Sequence, residues 1–319
     1  MDERRMPDAA QPSAPVGLLF PGQGAQYVGM GKALYEQNAA GRAVLEEAER
    51  VMGGGFLRIL FEGPEARLTG TDTSQPAIYA VSYAAFRAWR AAQPHVVIGV
   101  AAGLSLGEYT ALTAAGCIGF ADGLRLVQQR GQLMQAAGAQ RPGAMASVLG
   151  LEAEKVAEIC RGLDGAHVAN YNCPGQLVIS GETAAIARAG TACSAAGARK
   201  VIPLPVSGAF HSPLMAEAQR GLLPLLRALA WQAPQFSVLS NVSGVPHPGA
   251  AEIPAMLGRQ VVESVRWEGN CRWMCAQGLN VFYELGPGKV LQGLMKRIDQ
   301  TATVTPMELP AGPVNAAKE

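Results

Sequence analysis

The sequence predicts an α/β protein in two parts: a large layer built on a parallel sheet, and a small ferredoxin-like unit inserted into it. Three observations predict this. Apolar runs ending at Pro-Gly or Gly alternate with segments of helical spacing through residue 140, which is the rhythm of parallel strand–helix units. Residues 141–205 change to the order β-α-β-β-α-β, a split βαβ. After residue 205 the earlier kind of helix and strand returns, so the small unit interrupts the large one.

In chain order, "MDERRMPDAAQPSAP" (1–15) has charge, Pro and Ala but no apolar core of a signal peptide, and reads as a flexible leader. "VGLLFPG" (16–22) is a buried strand closed by a Pro-Gly turn, and "GKALYEQNAAGRAVLEEAERVMG" (31–53) a helical stretch ending at glycine. "HVVIGVAAG" (95–103) is a β-branched strand; "GEYTALTAAG" (107–116) and "FADGLRLVQQRGQLMQAAG" (120–138) are helices. The small unit runs "AMASVLGL" (strand), "EAEKVAEICRGL" (helix), "AHVANYN" and "GQLVISG" (strands), "ETAAIARAGTACSAAG" (helix) and "RKVIPLPV" (strand). Then follow "PLMAEAQRGLLPLLRAL" (helix), "QFSVLSNVSG" and "NVFYELG" (strands) and "GKVLQGLMKRI" (helix). The expected boundaries are 16–140 and 206–308 for the large part, 141–205 for the small one, and a loose tail over 309–319.

Composition narrows the functions. The chain of 319 residues is 49% hydrophobic and 16% charged, enough to bury a large core. A formal net charge of +1 favours neither a nucleic-acid binder nor a polybasic membrane binder. No apolar run is long enough to span a bilayer. The six cysteines (117, 160, 173, 193, 271 and 275) show no CxxC pair. Cys271 and Cys275 share a helical face, but no His or Cys cluster accompanies them. The expectation is free thiols in a reducing cytoplasm and no metal.

The chemistry concentrates in "GLSLGEYTAL" (103–112). Gly103-Leu104-Ser105-Leu106-Gly107 matches GxSxG with a strand before it and a helix after it. A nucleophile on such a turn has strained backbone angles, and side chains at the two flanking positions would collide, so glycine is needed at both. The turn also sets the Leu106 amide at a helix N-terminus, where a developing oxyanion can be held. The plain reading is a Gly-rich strand–helix turn with an idle serine.

Only four histidines can serve as base. His95 and His167 border strands, and His247 sits in the two-proline turn "SGVPHPG". His211, in "VSGAFHSPLM", directly precedes Ser212, a good N-cap, and Pro213, a good first helical residue. Potential at that helix start would keep the ring neutral and able to accept a proton. The alternative is a surface histidine beside a cap. No Asp or Glu marks a triad acid, which leaves a Ser–His dyad. Arg130 shares an apolar helical stripe with Val127, Leu133 and Met134. A buried cation needs a partner: either an internal carboxylate, or one that arrives with a substrate and is held bidentately.

Together "LFPGQGAQYVGMG", "TDTSQPAIYA", "GLSLGEYTALTAAG", "QQRGQLMQ", "NYNCPGQLVISG", "PVSGAFHSPLM", "SNVSG" and "YELGPGKVLQGLMKRI" resemble, in order from about residue 16 to about residue 300, the malonyl-CoA:acyl carrier protein transacylases. The resemblance implies an α/β-hydrolase-like large domain with a ferredoxin-like insert. It implies Ser105 as the acylated nucleophile, His211 as general base, the amides of Gln23 and Leu106 as oxyanion hole, and Arg130 as the holder of the malonyl carboxylate. It implies a backbone carbonyl orienting the histidine, expected in "SVRW" near Arg266. It implies malonyl-CoA as acyl donor, a phosphopantetheinylated acyl carrier protein as acceptor, and no bound cofactor; a monomer is expected because nothing in the sequence signals an exposed apolar interface. The family usually has His before the serine where this chain has Leu104. With Phe210 of "GAFH", Leu104 is expected to shape the acyl pocket; "GLSLGEYTAL" resembles the discrete acyltransferases that serve polyketide synthases in trans, and "GAFH" the malonyl-selective signature of polyketide acyltransferases.

Four other readings compete. An acyl-thioester hydrolase would use the same serine and histidine but has no use for Arg130. A patatin-like lipase needs a later Asp-Gly-Gly/Ala, and Asp122-Gly123-Leu124 follows the serine too closely. Gly22-Gln23-Gly24 lacks the third glycine of a dinucleotide fingerprint, since Tyr27 stands there. A non-catalytic carrier-docking protein would not need Ser105 or His211. For docking an acidic carrier, Arg199-Lys200 and Lys296-Arg297 are the candidate basic pairs.

Overall fold

The computed structural model describes residues 14–206 and 208–307. Most of the expected leader and the whole expected tail lie outside the described residues.

The large layer is a five-stranded parallel sheet. Its strands are β1 (Val16–Phe20), β2 (Ile98–Gly103), β7 (Ser237–Val238), β8 (Val281–Glu284) and β9 (Thr303–Pro306), in the order β7-β2-β1-β8-β9. All five residues of β1 are buried, as a central strand covered by helices on both faces requires. Phe20 pairs with Gly103, so β1 and β2 end side by side. The turns that follow them, beginning at Pro21 and Leu104, are therefore neighbours at the carboxyl edge of the sheet, where open α/β sheets form their crevices.

The small sheet holds β3 (Gly143–Leu149), β4 (Ala166–Cys173), β5 (Gln176–Glu182) and β6 (Lys200–Pro203), in the antiparallel order β4-β5-β3-β6. That is the order a split βαβ makes, and helices Ala153–Arg161 and Thr183–Ala195 cover it with an apolar core of their own. Its junction with the large layer is hydrogen-bonded: Tyr171 N–H donates to the Val265 carbonyl at 2.9 Å, Val265 N–H to the Ala169 carbonyl at 2.8 Å, and Ser264 Oγ to the Val168 carbonyl at 2.6 Å.

Two differences from the sequence reading have physical causes. The stretch 31–53 is two helices, Lys32–Gln37 and Ala39–Met52. They part at Asn38, which turns extended so that its side chain can accept from Gly41 N–H at 2.9 Å, the preference of asparagine for an N-cap. The 22-residue helix Thr71–Ala92 was not anticipated; it is buried along most of its length and shows no polar face to reveal its period. Helices Ile253–Gln260 and Trp267–Ala276 and the edge strand β9 were also missed, and β7 is only two residues long.

Candidate active site

Ser105 stands between the end of β2 and the helix Leu106–Ala114, with φ 52° and ψ −103°. Such angles are sparsely populated outside glycine, so the surroundings must hold them. The glycines do what the motif demands. A Cβ on Gly103 would lie 1.8 Å from the Gly107 carbonyl carbon, and one on Gly107 would lie 2.1 Å from the Phe20 carbonyl oxygen. Asn241 fastens the turn from the other side: its Oδ1 accepts from Ser105 N–H at 2.7 Å and its Nδ2 donates to the Gly103 carbonyl at 2.7 Å.

His211 comes to this serine from the segment after the small sheet, its Nε2 2.8 Å from Ser105 Oγ. Its own φ is 56°, the only positive value besides that of Ser105 among described non-glycine residues. Ser212 caps the turn that follows, accepting from Leu214 N–H at 3.3 Å. The other ring nitrogen, Nδ1, lies 2.7 Å from the Gln260 carbonyl. An acceptor there places the proton on Nδ1 and leaves Nε2 with a lone pair toward the serine.

This corrects the expectation that a carbonyl near Arg266 orients the ring. The Arg266 carbonyl accepts from Asn270 N–H within the helix it starts, and the Val265 carbonyl accepts from Tyr171. Gln260 ends the helix Ile253–Gln260, and carbonyls in a last helical turn lack intrahelical partners. One of them is free to take the imidazole N–H. The ring's neutrality has a different origin from the helix-start potential expected above. Burial first, and then the charge of Arg130, push the His211 pKa down to about 4 against the opposing pull of the Gln260 carbonyl.

Arg130 is 1% exposed. Its guanidinium donates to Gln75 Oε1 at 2.7 Å, Gln260 Oε1 at 3.0 Å and Ser105 Oγ at 3.1 Å, and lies 5.2 Å from the Tyr109 ring centroid. Its Nε has no partner. Among the described residues no carboxylate forms an ion pair with it, so every acceptor it meets is neutral. Burial lowers its pKa.

The two amides expected to form the oxyanion hole are both without an acceptor among the described residues. The Leu106 amide begins a helix and donates to no acceptor among the described residues. The Gln23 amide likewise has no such acceptor, and the preceding Gly22 presses on the serine turn, where a Cβ would sit 2.3 Å from the Leu104 carbonyl oxygen.

Leu104 and Phe210 flank the pair in sequence but go into packing. Leu104 is half-buried against the cluster around Trp267 and Phe282, and Phe210 is buried in the main core. A cleft of about 750 Å³ that reaches His211 is lined by Val242, Val262, Ser264 and Arg266 on one side and His167 and Tyr171 on the other. It lies between the two sheets and ends at the histidine of the pair.

Gln75, Tyr109, Asn241 and Gln260 had no role in the sequence reading. The first three lie in segments that marked the family resemblance; Gln260 carried no signal at all. His247, read as part of a turn, is buried with its Nε2 2.8 Å from Glu108 Oε1. Among the described residues no group of three or more His, Cys, Asp or Glu could hold a metal.

A strained serine paired with a neutral histidine, two free amides and an unmatched buried cation define a serine acyl-transfer site suited to an anionic acyl group. The family model described as acyl transferase domain matches residues 18–309, and the chain belongs to that family. Among its curated relatives, the malonyl CoA-acyl carrier protein transacylase of Salmonella typhimurium is 40% identical over 297 residues, covering 92% of this chain and 96% of the relative. The enzyme of that name from Bacillus subtilis is 38% identical, covering 89% and 90%. The crystal structure of an acyl carrier protein S-malonyltransferase from Vibrio cholerae superposes with a TM-score of 0.89 at 40% identity, covering 93% of this chain and 98% of that one. A malonyl-transacylase in complex with its type II PKS acyl-carrier protein gives 0.88 at 38% identity, covering 93% and 97%.

Proposed function

We propose that the protein transfers a malonyl group from malonyl-CoA to the phosphopantetheine thiol of an acyl carrier protein. The observation that carries this reading is Arg130: a buried guanidinium 3.1 Å from the nucleophile and matched by neutral oxygens only. A site built this way is completed by a carboxylate on the acyl group.

His211 Nε2 takes the Ser105 Oγ proton as the oxygen attacks the thioester carbonyl. The new C–O bond sends the carbonyl electrons onto oxygen, and the amides of Gln23 and Leu106 receive that charge. Collapse breaks the C–S bond, and the CoA sulfur leaves with the proton held on His211. The carrier's thiol then loses its proton to the same nitrogen and attacks the malonyl-serine ester, which reverses the sequence and frees Ser105. Binding of the malonyl carboxylate offsets the Arg130 charge beside His211. The ring thus becomes a stronger base when the right acyl group is present.

Leu104 and "GAFH" favour a polyketide synthase over a fatty acid synthase as recipient. Arg199-Lys200 and Lys296-Arg297 remain the proposed contacts for an acidic carrier, although Arg297 also donates to Gln176 Oε1 at 2.6 Å. The six cysteines are free thiols, which supports a cytoplasmic, reducing setting, and we read the protein as a monomer without a bound cofactor. No helix among the described residues is long and apolar enough to cross a membrane.

The test is intact-protein mass after incubation with malonyl-CoA, acetyl-CoA or methylmalonyl-CoA, followed by a holo carrier protein. A malonyl adduct on wild type, absent from Ser105→Ala and discharged onto the carrier, is the expected result. Free acid released from neutral acyl thioesters with no lasting adduct would make the protein a hydrolase.

A further inference from the structure

Behind the serine turn lies a buried acid that the mechanism does not use. Glu108 and His247 both have fully buried side chains. Glu108 Oε1 accepts from His247 Nε2–H at 2.8 Å, and Oε2 accepts from Asn241 N–H at 3.1 Å and Gln260 Nε2–H at 2.7 Å. A carboxylate can only accept, so it dictates which way the Gln260 amide points. The NH₂ end must face Glu108 and the Ser105 carbonyl, to which it also donates at 2.9 Å. The oxygen end is then left for Arg130, 3.0 Å away.

The geometry points to Glu108 as a positioning residue for acyl selectivity: by fixing the polarity of the Gln260 amide, it holds the Arg130 guanidinium ready for a substrate carboxylate. This rests on the reading of Arg130 as the carboxylate anchor. Gln260 serves the two halves of the site through different atoms. Its side chain reaches Arg130, whereas its backbone carbonyl takes His211 Nδ1. Glu108 therefore bears chiefly on recognition of the acyl carboxylate; toward the serine turn it makes one backbone contact, to Asn241 N–H. His247 supports it by supplying a donor that keeps Oε1 occupied and Oε2 turned toward Gln260.

Glu108→Gln separates these functions. An amide at position 108 has one accepting oxygen in place of two, so it cannot accept from His247 on one side and from Asn241 and Gln260 on the other, and the Gln260 side chain that presents its oxygen to Arg130 loses its hold. Two rates on wild type and variant are compared by intact mass: acylation by malonyl-CoA, and labelling of Ser105 by an alkyl fluorophosphonate, which carries no carboxylate. The expected result is a roughly ten- to hundredfold loss of malonyl acylation with fluorophosphonate labelling within about twofold of wild type. A residue that only stabilises the fold would lower both together, and that result, or no change in either, overturns the inference. A wild type that takes no malonyl group sinks the transferase reading and this inference with it. Should E108Q not fold, His247→Phe removes the donor that keeps Oε2 turned toward Gln260; a malonyl-only loss is again expected, and an equal loss of both reactions overturns the inference.

Discussion

Replacing Arg130 by methionine removes the charge while filling most of the volume. The guanidinium has no carboxylate partner, and burial already disfavours its charged form, so folding should not suffer: an unneeded buried charge is lost and an apolar side chain fills the place. Acyl transfer should suffer selectively. A carboxylate held by two charge-assisted hydrogen bonds of about 1.5–3 kcal/mol each loses about 3–6 kcal/mol, or roughly 10²- to 10⁴-fold in kcat/KM. An acetyl group makes neither bond, so its rate should hold or rise. A second effect follows from the same contact. Arg130 is one of the two causes that depress the His211 pKa, so its removal should move the acid limb of the rate profile upward. The assay is competition between malonyl-CoA and acetyl-CoA, read as the ratio of adducts on Ser105, repeated from pH 4 to pH 8. If both acyl groups slow by the same factor and the acid limb stays in place, Arg130 is not the carboxylate anchor.

The wild-type kcat/KM should stay flat from neutral pH down to about pH 5 and fall tenfold per unit below about pH 4, because only neutral His211 can accept the serine proton; a limb near 6.5 would show that the ring is not buried as described. Gly103→Ala should prevent native folding or lower Tm by well over 10 °C, since its Cβ would fall 1.8 Å from the Gly107 backbone; a melt like wild type would mean the turn is not as tight as drawn. Asn241→Ala strands the Ser105 N–H and the Gly103 carbonyl and should cost about 2–4 kcal/mol in a urea melt, together with slower fluorophosphonate labelling. Two buried groups should oppose each other in pH-dependent stability. Neutral His211, shifted from 6.5 to about 4, lends about 3 kcal/mol that is present above pH 6.5 and lost as pH falls through 4. Burial raises Glu284 from 4.5 to about 7 despite its bonds from Leu291 and Gln292 N–H, so its contribution is present below pH 4.5 and lost as pH rises through 7. Urea midpoints should therefore change little between pH 4.5 and 6.5, and Glu284→Gln should expose the His211 slope.

What the sequence made legible was what a local pattern must encode. GxSxG between a strand and a helix can be built in few ways: Gly103 is dictated by the Gly107 backbone four residues on, and Gly107 by the end of the neighbouring strand at Phe20. The alternation of β-branched runs and helical spacing likewise declares a parallel sheet, and the β-α-β-β-α-β order declares the small sheet, before any packing is known. The helix Thr71–Ala92 escaped because burial on nearly all sides erases the polar face that would show its period. Arg130 was visible as a cation on an apolar stripe, but whether its partner was internal or brought by a substrate depended on three oxygens from Gln75, Ser105 and Gln260, which lie 55, 25 and 130 residues away.

Gln260 shows where such reading stops. Nothing near it in "LGRQVVESVRW" distinguishes it from a surface glutamine at a helix end, and its position near the histidine arises from the crossing of two segments 49 residues apart. The oriented carbonyl that replaces a triad acid requires no side-chain chemistry, so any residue closing that helix could supply it. The side chain is different. Its amide is held between an acceptor-only carboxylate and a donor-only guanidinium, and glutamine is the side chain that answers both at once with a donor on one end and an acceptor on the other. The identity of residue 260 therefore bears on acyl selectivity through Arg130 and on the serine turn through the Ser105 carbonyl, whereas the carbonyl that orients the histidine needs only its place in the chain.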